Sequence, residues 1–189
     1  MRLPEAFVAS IARELGEEEA QALCAALDGP SPVAVRFNPA KCAALLPAVA
    51  TGEGVRRVGW CAEGRYLPRR PQFTFDAEFH AGAYYVQEPS SQFVGRLLSG
   101  VDMRGARVLD LCAAPGGKST LYASLVGSEG LVVANEIDRR RAQVLADNIR
   151  RSAEFKHSAL QIPLLINRIH NGIAPFILLV RKAHQLQAG

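Results

Sequence analysis

Apolar residues recur along this chain in two rhythms. Phe7, Ile11 and Leu15 fall four apart, the repeat of one helix face, and Gly16 follows as a stop. Ala20, Leu23, Cys24 and Leu27 repeat the pattern and predict a second helix that ends near DGPSP. VAVRF (33–37) predicts a strand, stopped by Asn38 and Pro39. Residues 41–75 are mixed, with turn signals at Gly52, Gly54, Gly64 and Pro68. AYYVQEPSSQFVGRLL (83–98) reads as an extended piece that turns into a helix: Pro89 suits the first turn, and Phe93, Val94, Leu97 and Leu98 form one apolar face.

A regular alternation follows. ARVLDL (106–111) predicts a strand, 118–126 a helix, LVVANE (131–136) a strand and 139–151 a helix that buries Ala142, Leu145, Ala146 and Ile149. Apolar strands alternating with helices imply parallel pairing in an α/β sheet. After Arg151 no dependable alternation is found, although 164–167 and 176–180 are apolar enough for strands.

Bulk composition narrows the class. With 189 residues, 49% of them hydrophobic and 21% charged, the chain can bury a core. Its four cysteines (Cys24, Cys42, Cys61, Cys112) have no paired spacing, which suits a reducing compartment better than a disulfide framework. Without a Cys-x-x-Cys, and with His80 standing alone, no metal site is expected. Glu5 interrupts any signal-peptide core, and the apolar stretch 173–180 contains Pro175 and falls far short of the roughly 20 residues of a membrane helix. The expectation is a cytoplasmic protein. The net charge is +4, yet residues 151–189 hold five basic residues (Arg151, Lys156, Arg168, Arg181, Lys182) against Glu154, which leaves residues 1–150 balanced. Global charge therefore says little about a nucleic-acid partner.

The chemistry concentrates in VLDLCAAPGGKST (108–120), an apolar run that ends in an acid, then a tight turn, then a helix start. A phosphate-binding loop would need glycine where Cys112 stands, and Pro115 stiffens the loop. The Gly-x-Gly-x-x-Gly of dinucleotide folds is absent. An S-adenosylmethionine site needs only close backbone approach at the turn and an acid at the end of the next strand for the ribose hydroxyls. Glu136 lies there, 19 residues past Gly117. The alternative is a plain strand-to-helix connection beside an exposed acid.

The stretch LDLCAAPGGKST closely resembles the cofactor-binding motif of the Nop/Sun family of RNA (cytosine-5) methyltransferases. FHAGAYYVQEPSSQ (79–92) resembles the segment that precedes it there, VRFNPAK (35–41) the family's amino-terminal Arg-x-Asn-Pro motif, and ANEIDRRR (134–141) the next cofactor strand. The likeness runs from about residue 1 to about 151 and is greatest to the bacterial ribosomal RNA branch. It implies an α/β, Rossmann-like S-adenosylmethionine-dependent methyltransferase fold, incomplete here, with a small amino-terminal α+β extension. The implied cofactor-binding residues are Cys112, Ala113, Ala114, Pro115, Gly116, Gly117, Lys118 and Glu136. The implied organisation is an RNA-binding-like extension over 1–70, the first part of the cofactor domain over 71–151 and an atypical basic and apolar tail over 152–189. The implied reaction is methylation of carbon 5 of a cytosine in ribosomal RNA.

That reaction needs a thiolate at carbon 6 and a second group to remove the carbon-5 proton. The resemblance implies two cysteines for this, one in an Asp-Ala-Pro-Cys and one in a Thr-Cys motif, and neither motif is present. Cys112 reads as a small buried residue of the turn rather than a nucleophile. No catalytic residue is therefore assigned, and the chain is expected to be inactive alone. The rival reading is a non-catalytic RNA-binding remnant, or the product of a truncated or frameshifted gene. Arg56, Arg57, Arg65, Arg69 and Arg70, with Trp60, Tyr66 and Phe73 interleaved, are the candidate RNA contacts, against a plain solvated face. Arg36 and Asn38 are expected to touch substrate or to order the local fold.

Overall fold

A computed structural model describes residues 3–42, 46–152, 159–162 and 177–180. Contacts divide the chain between Pro32 and Val33. The first unit is a helical hairpin, α1 (Glu5–Leu15) and α2 (Glu17–Asp28). Gly16 between them has φ 86°, and its N–H caps α1 on Ala12 O.

The second unit begins with an antiparallel sheet of order β2-β3-β1-β4, made of β1 (Val33–Phe37), β2 (Arg56–Val58), β3 (Cys61–Leu67) and β4 (Tyr84–Val86). This sheet continues past residue 70 to Val86, so the border expected there is not a border of the sheet. One face carries Val35, Phe37, Leu67 and Tyr84 into a core closed by Ala50, Phe73 and Phe79. α3 (Ala77–His80) helps to close it, capped by Asp76, whose Oδ1 accepts from Glu78 N at 2.8 Å.

The other face brings Arg36 between Gly64 and Tyr85. Here α4 (Pro89–Leu97) packs on β3, with Pro89 in its first turn. Two expectations fail at this contact. Gly64 is not a turn but lies inside β3, because a Cβ there would stand 2.2 Å from Gln92 Oε1 and 2.8 Å from Val58 Cβ. And α4 buries Gln92 while leaving Phe93 and Leu97 exposed. Gln92 can be buried because its Nε2 donates to Gln87 O at 2.9 Å and Val35 O at 3.5 Å.

The alternating region folds as read. β5 (Arg107–Asp110), α5 (Gly117–Val126), β6 (Leu131–Asn135) and α6 (Arg139–Ser152) follow in order, and β5 and β6 pair in parallel. β7 (Ala159–Ile162) extends the sheet in parallel beside β6, and β8 (Ile177–Val180) lies antiparallel on the far side of β5. β8 matches an expected strand, β7 was not foreseen, and the strand expected at 164–167 lies outside the described residues. Met103, Val108, Tyr122, Val126 and Val132 form the core, with Val94 of α4, and Leu98 just after that helix, packed against it. α6 buries Ala142 and Leu145 as expected, and also Asn148. The fold is α/β and Rossmann-like, and incomplete.

Candidate functional site

Parallel pairing puts the carboxyl ends of β5 and β6 side by side, with Asp110 opposite Ala134. The glycine turn leaves from the first end and Glu136 stands one residue beyond the second. Gly116 has φ 111°, and a Cβ there would come within 3.2 Å of Leu145 Cδ1. Only glycine combines that conformation with so close an approach to α6. The turn, which includes a cis Ala114–Pro115 peptide, is held from behind by α6. Arg141 Nη2 donates to Ala114 O at 2.8 Å and Asn148 Nδ2 to Pro115 O at 2.6 Å, while Ala113 N donates to Asn135 O at 2.9 Å.

The front of the turn is open. Cys112, Ala113, Ala114, Pro115, Gly117 and Lys118 line one side of a recess, and residues 85–88 with Ser91 line the other. The structure thus brings six of the eight expected residues together. Gly116 lies behind them, buried against Leu145, and Glu136 stands at the neighbouring strand end, outside the recess lining. Cys112 is exposed, not buried as expected, because the turn directs it outward while Ala113 and Ala114 take the core positions with Ala134 and Leu145.

Glu136 is 8% exposed. Its Oε1 accepts from Asp138 N at 3.1 Å; its Oε2 lies 3.5 Å from Arg141 Nη1 but takes no hydrogen bond. A buried carboxylate oxygen without a donor is costly, and a ligand hydroxyl would satisfy it. Asp110, which the residue pattern marked only as the acid ending a strand, is also buried and accepts from Ser119 Oγ at 2.7 Å. Burial holds its carboxyl above the ordinary range, the nearby Glu136 adds to this, and the Ser119 bond opposes it.

Arg36 turns out to support the turn. It is buried; its Nε donates to Gln87 Oε1 and its Nη2 to Thr120 Oγ1, both at 2.8 Å. Burial brings its pKa down to about 10, so it remains a cation at neutral pH. Asn38 Nδ2 donates to Ser152 O at 2.9 Å and Lys41 Nζ to Arg151 O at 2.7 Å, so both close the end of α6. Gln87, Asn148 and Arg141 were not foreseen, because polar residues on a helix or strand read from sequence as solvent-facing.

The candidate RNA arginines do not form one patch. The register sets Arg57 opposite Arg65 and Arg56 opposite Tyr66, on opposite faces of the sheet. Three of them lie over rings: Arg56 over Tyr66 at 5.5 Å, Arg65 over Phe37 at 5.0 Å and Arg70 over Phe73 at 5.5 Å. Phe73 packs against the core, and Trp60 Nε1 donates to Pro89 O at 2.8 Å. Among the described residues no His, Cys, Asp and Glu cluster could hold a metal, and no helix is long and apolar enough to cross a membrane.

A β–α–β–α unit with a glycine turn after its first strand and an acid after its second is the front of a Rossmann-like methyltransferase domain. Residues 3–89 match the family model of the N-terminal domain of 16S rRNA methyltransferase RsmF, and residues 101–161 match that of 16S rRNA methyltransferase RsmB/F. Through these two segments the chain belongs to the RsmB/F family, as an RsmF-like amino-terminal part. It is 39% identical over 98 residues to ribosomal RNA small subunit methyltransferase F of Enterobacter sp. (strain 638), and 41% identical over 98 residues to that of Serratia proteamaculans. These matches cover 50% of this chain and 20% of each relative, so the chain spans about a fifth of the length of the curated relatives it matches. A methyltransferase homologue from Pyrococcus horikoshii superimposes with a TM-score of 0.64 at 26% identity, over 85% of this chain and 56% of that one. The crystal structure of NSun6 from Pyrococcus horikoshii with SFG gives a TM-score of 0.67 at 16% identity, over 85% of this chain and 65% of that one.

Proposed function

We propose that the glycine turn and Glu136 hold S-adenosylmethionine, and that the whole protein places its methyl group on carbon 5 of a cytosine in 16S ribosomal RNA in the cytoplasm. The observation that carries this reading is Glu136 Oε2, buried at the end of the second parallel strand and without a hydrogen bond. A ribose diol supplies the donors that oxygen lacks, and Gly117 lines the open side of the turn where a ligand would approach. When bound, the cofactor supplies an electrophilic methyl sulfonium. This chain's residues orient it: Arg36 and Gln87 brace the first turn of α5, and Arg141 and Asn148 brace the turn from α6. The extension over the first 70 residues, with the sheet it begins, serves the RNA.

Carbon 5 of cytosine becomes nucleophilic only after a thiolate adds to carbon 6. Cys112 is the last cysteine of these 189 residues, and it stands on the recess beside the cofactor's own turn. The 189 residues therefore bind the donor and do not transfer its methyl group by themselves. The test is incorporation of labelled methyl groups into unmodified 16S ribosomal RNA by the parent and by Cys112→Ser. Neither should incorporate label. Sustained incorporation by the parent that is lost in Cys112→Ser would make Cys112 the nucleophile and overturn this division of labour.

A further inference from the structure

Away from the glycine turn, the β2–β3 connection meets α4 at a second recess. Gly59, Trp60 and Cys61 line it from the sheet side, Phe93 and Arg96 from the helix, and Arg57 from the edge strand. Among the described residues that line it none is acidic. Trp60 is the only tryptophan of the chain. Its Nε1 is tied to Pro89 O at 2.8 Å, and its ring meets Phe93 edge to face, with centroids 5.9 Å apart and planes at 82°. The ring is fixed, yet Trp60 remains 37% exposed and Phe93 43% exposed. Arg57 and Arg96 are both exposed at its margin.

Arg57 stands directly opposite Arg65, whose guanidinium donates to Ala62 O and Gly64 O and has Glu63 as a counter-charge, which leaves Arg57 the exposed cation of the two. Burial lowers the pKa of Arg65, and the charge of Arg57 lowers it further. The exposed Arg57 and Arg96 at the margin of a rigid, part-exposed indole make a poor surface for an apolar protein partner. It suits a chain of phosphates whose bases present flat faces.

We infer that Trp60, Phe93, Arg57 and Arg96 form a stacking site for single-stranded RNA, Trp60 taking a base and the two arginines the flanking phosphates. The inference rests on the reading of this chain as part of an RNA methyltransferase. It assigns the contact to a place where β2–β3 meets α4, and not to the five arginines as a group.

The single tryptophan makes the site its own probe. Titration of the full chain with a 12-nucleotide oligocytidine at about 50 mM salt should quench Trp60 emission, in step with the anisotropy of the labelled RNA. Arg57→Gln and Arg96→Gln should each weaken binding and lower the dependence of log affinity on log salt by about one. Trp60→Leu should weaken binding about tenfold or more, whereas Trp60→Phe, which keeps a ring, should retain most of it. Since Trp60→Leu also removes an anchor on Pro89, the two arginine variants carry the test if it fails to fold. RNA that binds with unchanged Trp60 emission, or no binding at this salt, overturns the inference. So does an emission shift that follows protein concentration without RNA, which would make the patch a protein contact. Cofactor binding measured by calorimetry reads the glycine turn separately, so failure here and failure of the cofactor reading are distinguishable.

Discussion

Asp110 and Glu136 are two buried carboxyl groups at neighbouring strand ends, and they differ in what they lack. Asp110 has the hydroxyl of Ser119; Glu136 Oε2 has the Arg141 guanidinium at 3.5 Å but no hydrogen bond. The raised pKa of Asp110 means the folded chain holds this proton more tightly than the unfolded chain. Its ionised form therefore weighs against the fold at neutral pH. That penalty fades as pH falls through the folded pKa and is gone below the unfolded value near about 4. Asp110→Asn should melt at a higher temperature than the parent at neutral pH, with the gap closing near pH ~4. A gap that widens with acid contradicts the assignment. Gly64 offers a second residue-scale check. A Cβ there meets Gln92 Oε1 at 2.2 Å and Val58 Cβ at 2.8 Å, and both side chains are buried. Gly64→Ala should cost about 2 kcal/mol, as overpacking does, read as a lower urea midpoint with unchanged slope. Stability equal to the parent would show that Gln92 yields without cost.

α6 shows how one element is set by residues far away in sequence. Its last carbonyls are satisfied by Asn38 and Lys41, both from the Arg-x-Asn-Pro segment. Helix ends leave carbonyls unpaired, and a cation there also suits the helix dipole. Lys41→Met and Asn38→Ala should each destabilise the chain by about 1–2 kcal/mol, measured by urea unfolding. A change confined to RNA binding, with stability untouched, would instead make these residues substrate contacts. The pattern of apolar positions was enough to place β1, β5, β6, α5 and α6, because their periods are unbroken. It misled at α4, where Gln92 rather than Leu97 faces inward, since the carbonyls that accept its amide come from Gln87 and Val35. The glycine turn and Glu136 were legible because backbone conformation and strand spacing constrain them. Arg36, Gln87 and Asn148 were not, because their partners lie on other elements that no local pattern reveals.

At the scale of the molecule, the first sheet and the alternating region meet at the glycine turn. Arg36 of β1 reaches Thr120 of α5, and Tyr85 of β4 donates to Pro115 O at 3.3 Å. Residues 85–88 and Ser91, from the end of β4 into α4, thus form the wall of the recess that faces the glycine turn. The proposal that Glu136, beside this junction, holds S-adenosylmethionine is read directly by calorimetry. The parent should bind the cofactor, and Glu136→Ala should bind it roughly ten to a hundred times more weakly, the loss expected of a charge-assisted hydrogen bond worth about 1.5–3 kcal/mol. Equal binding by Glu136→Ala and the parent would contradict the claim.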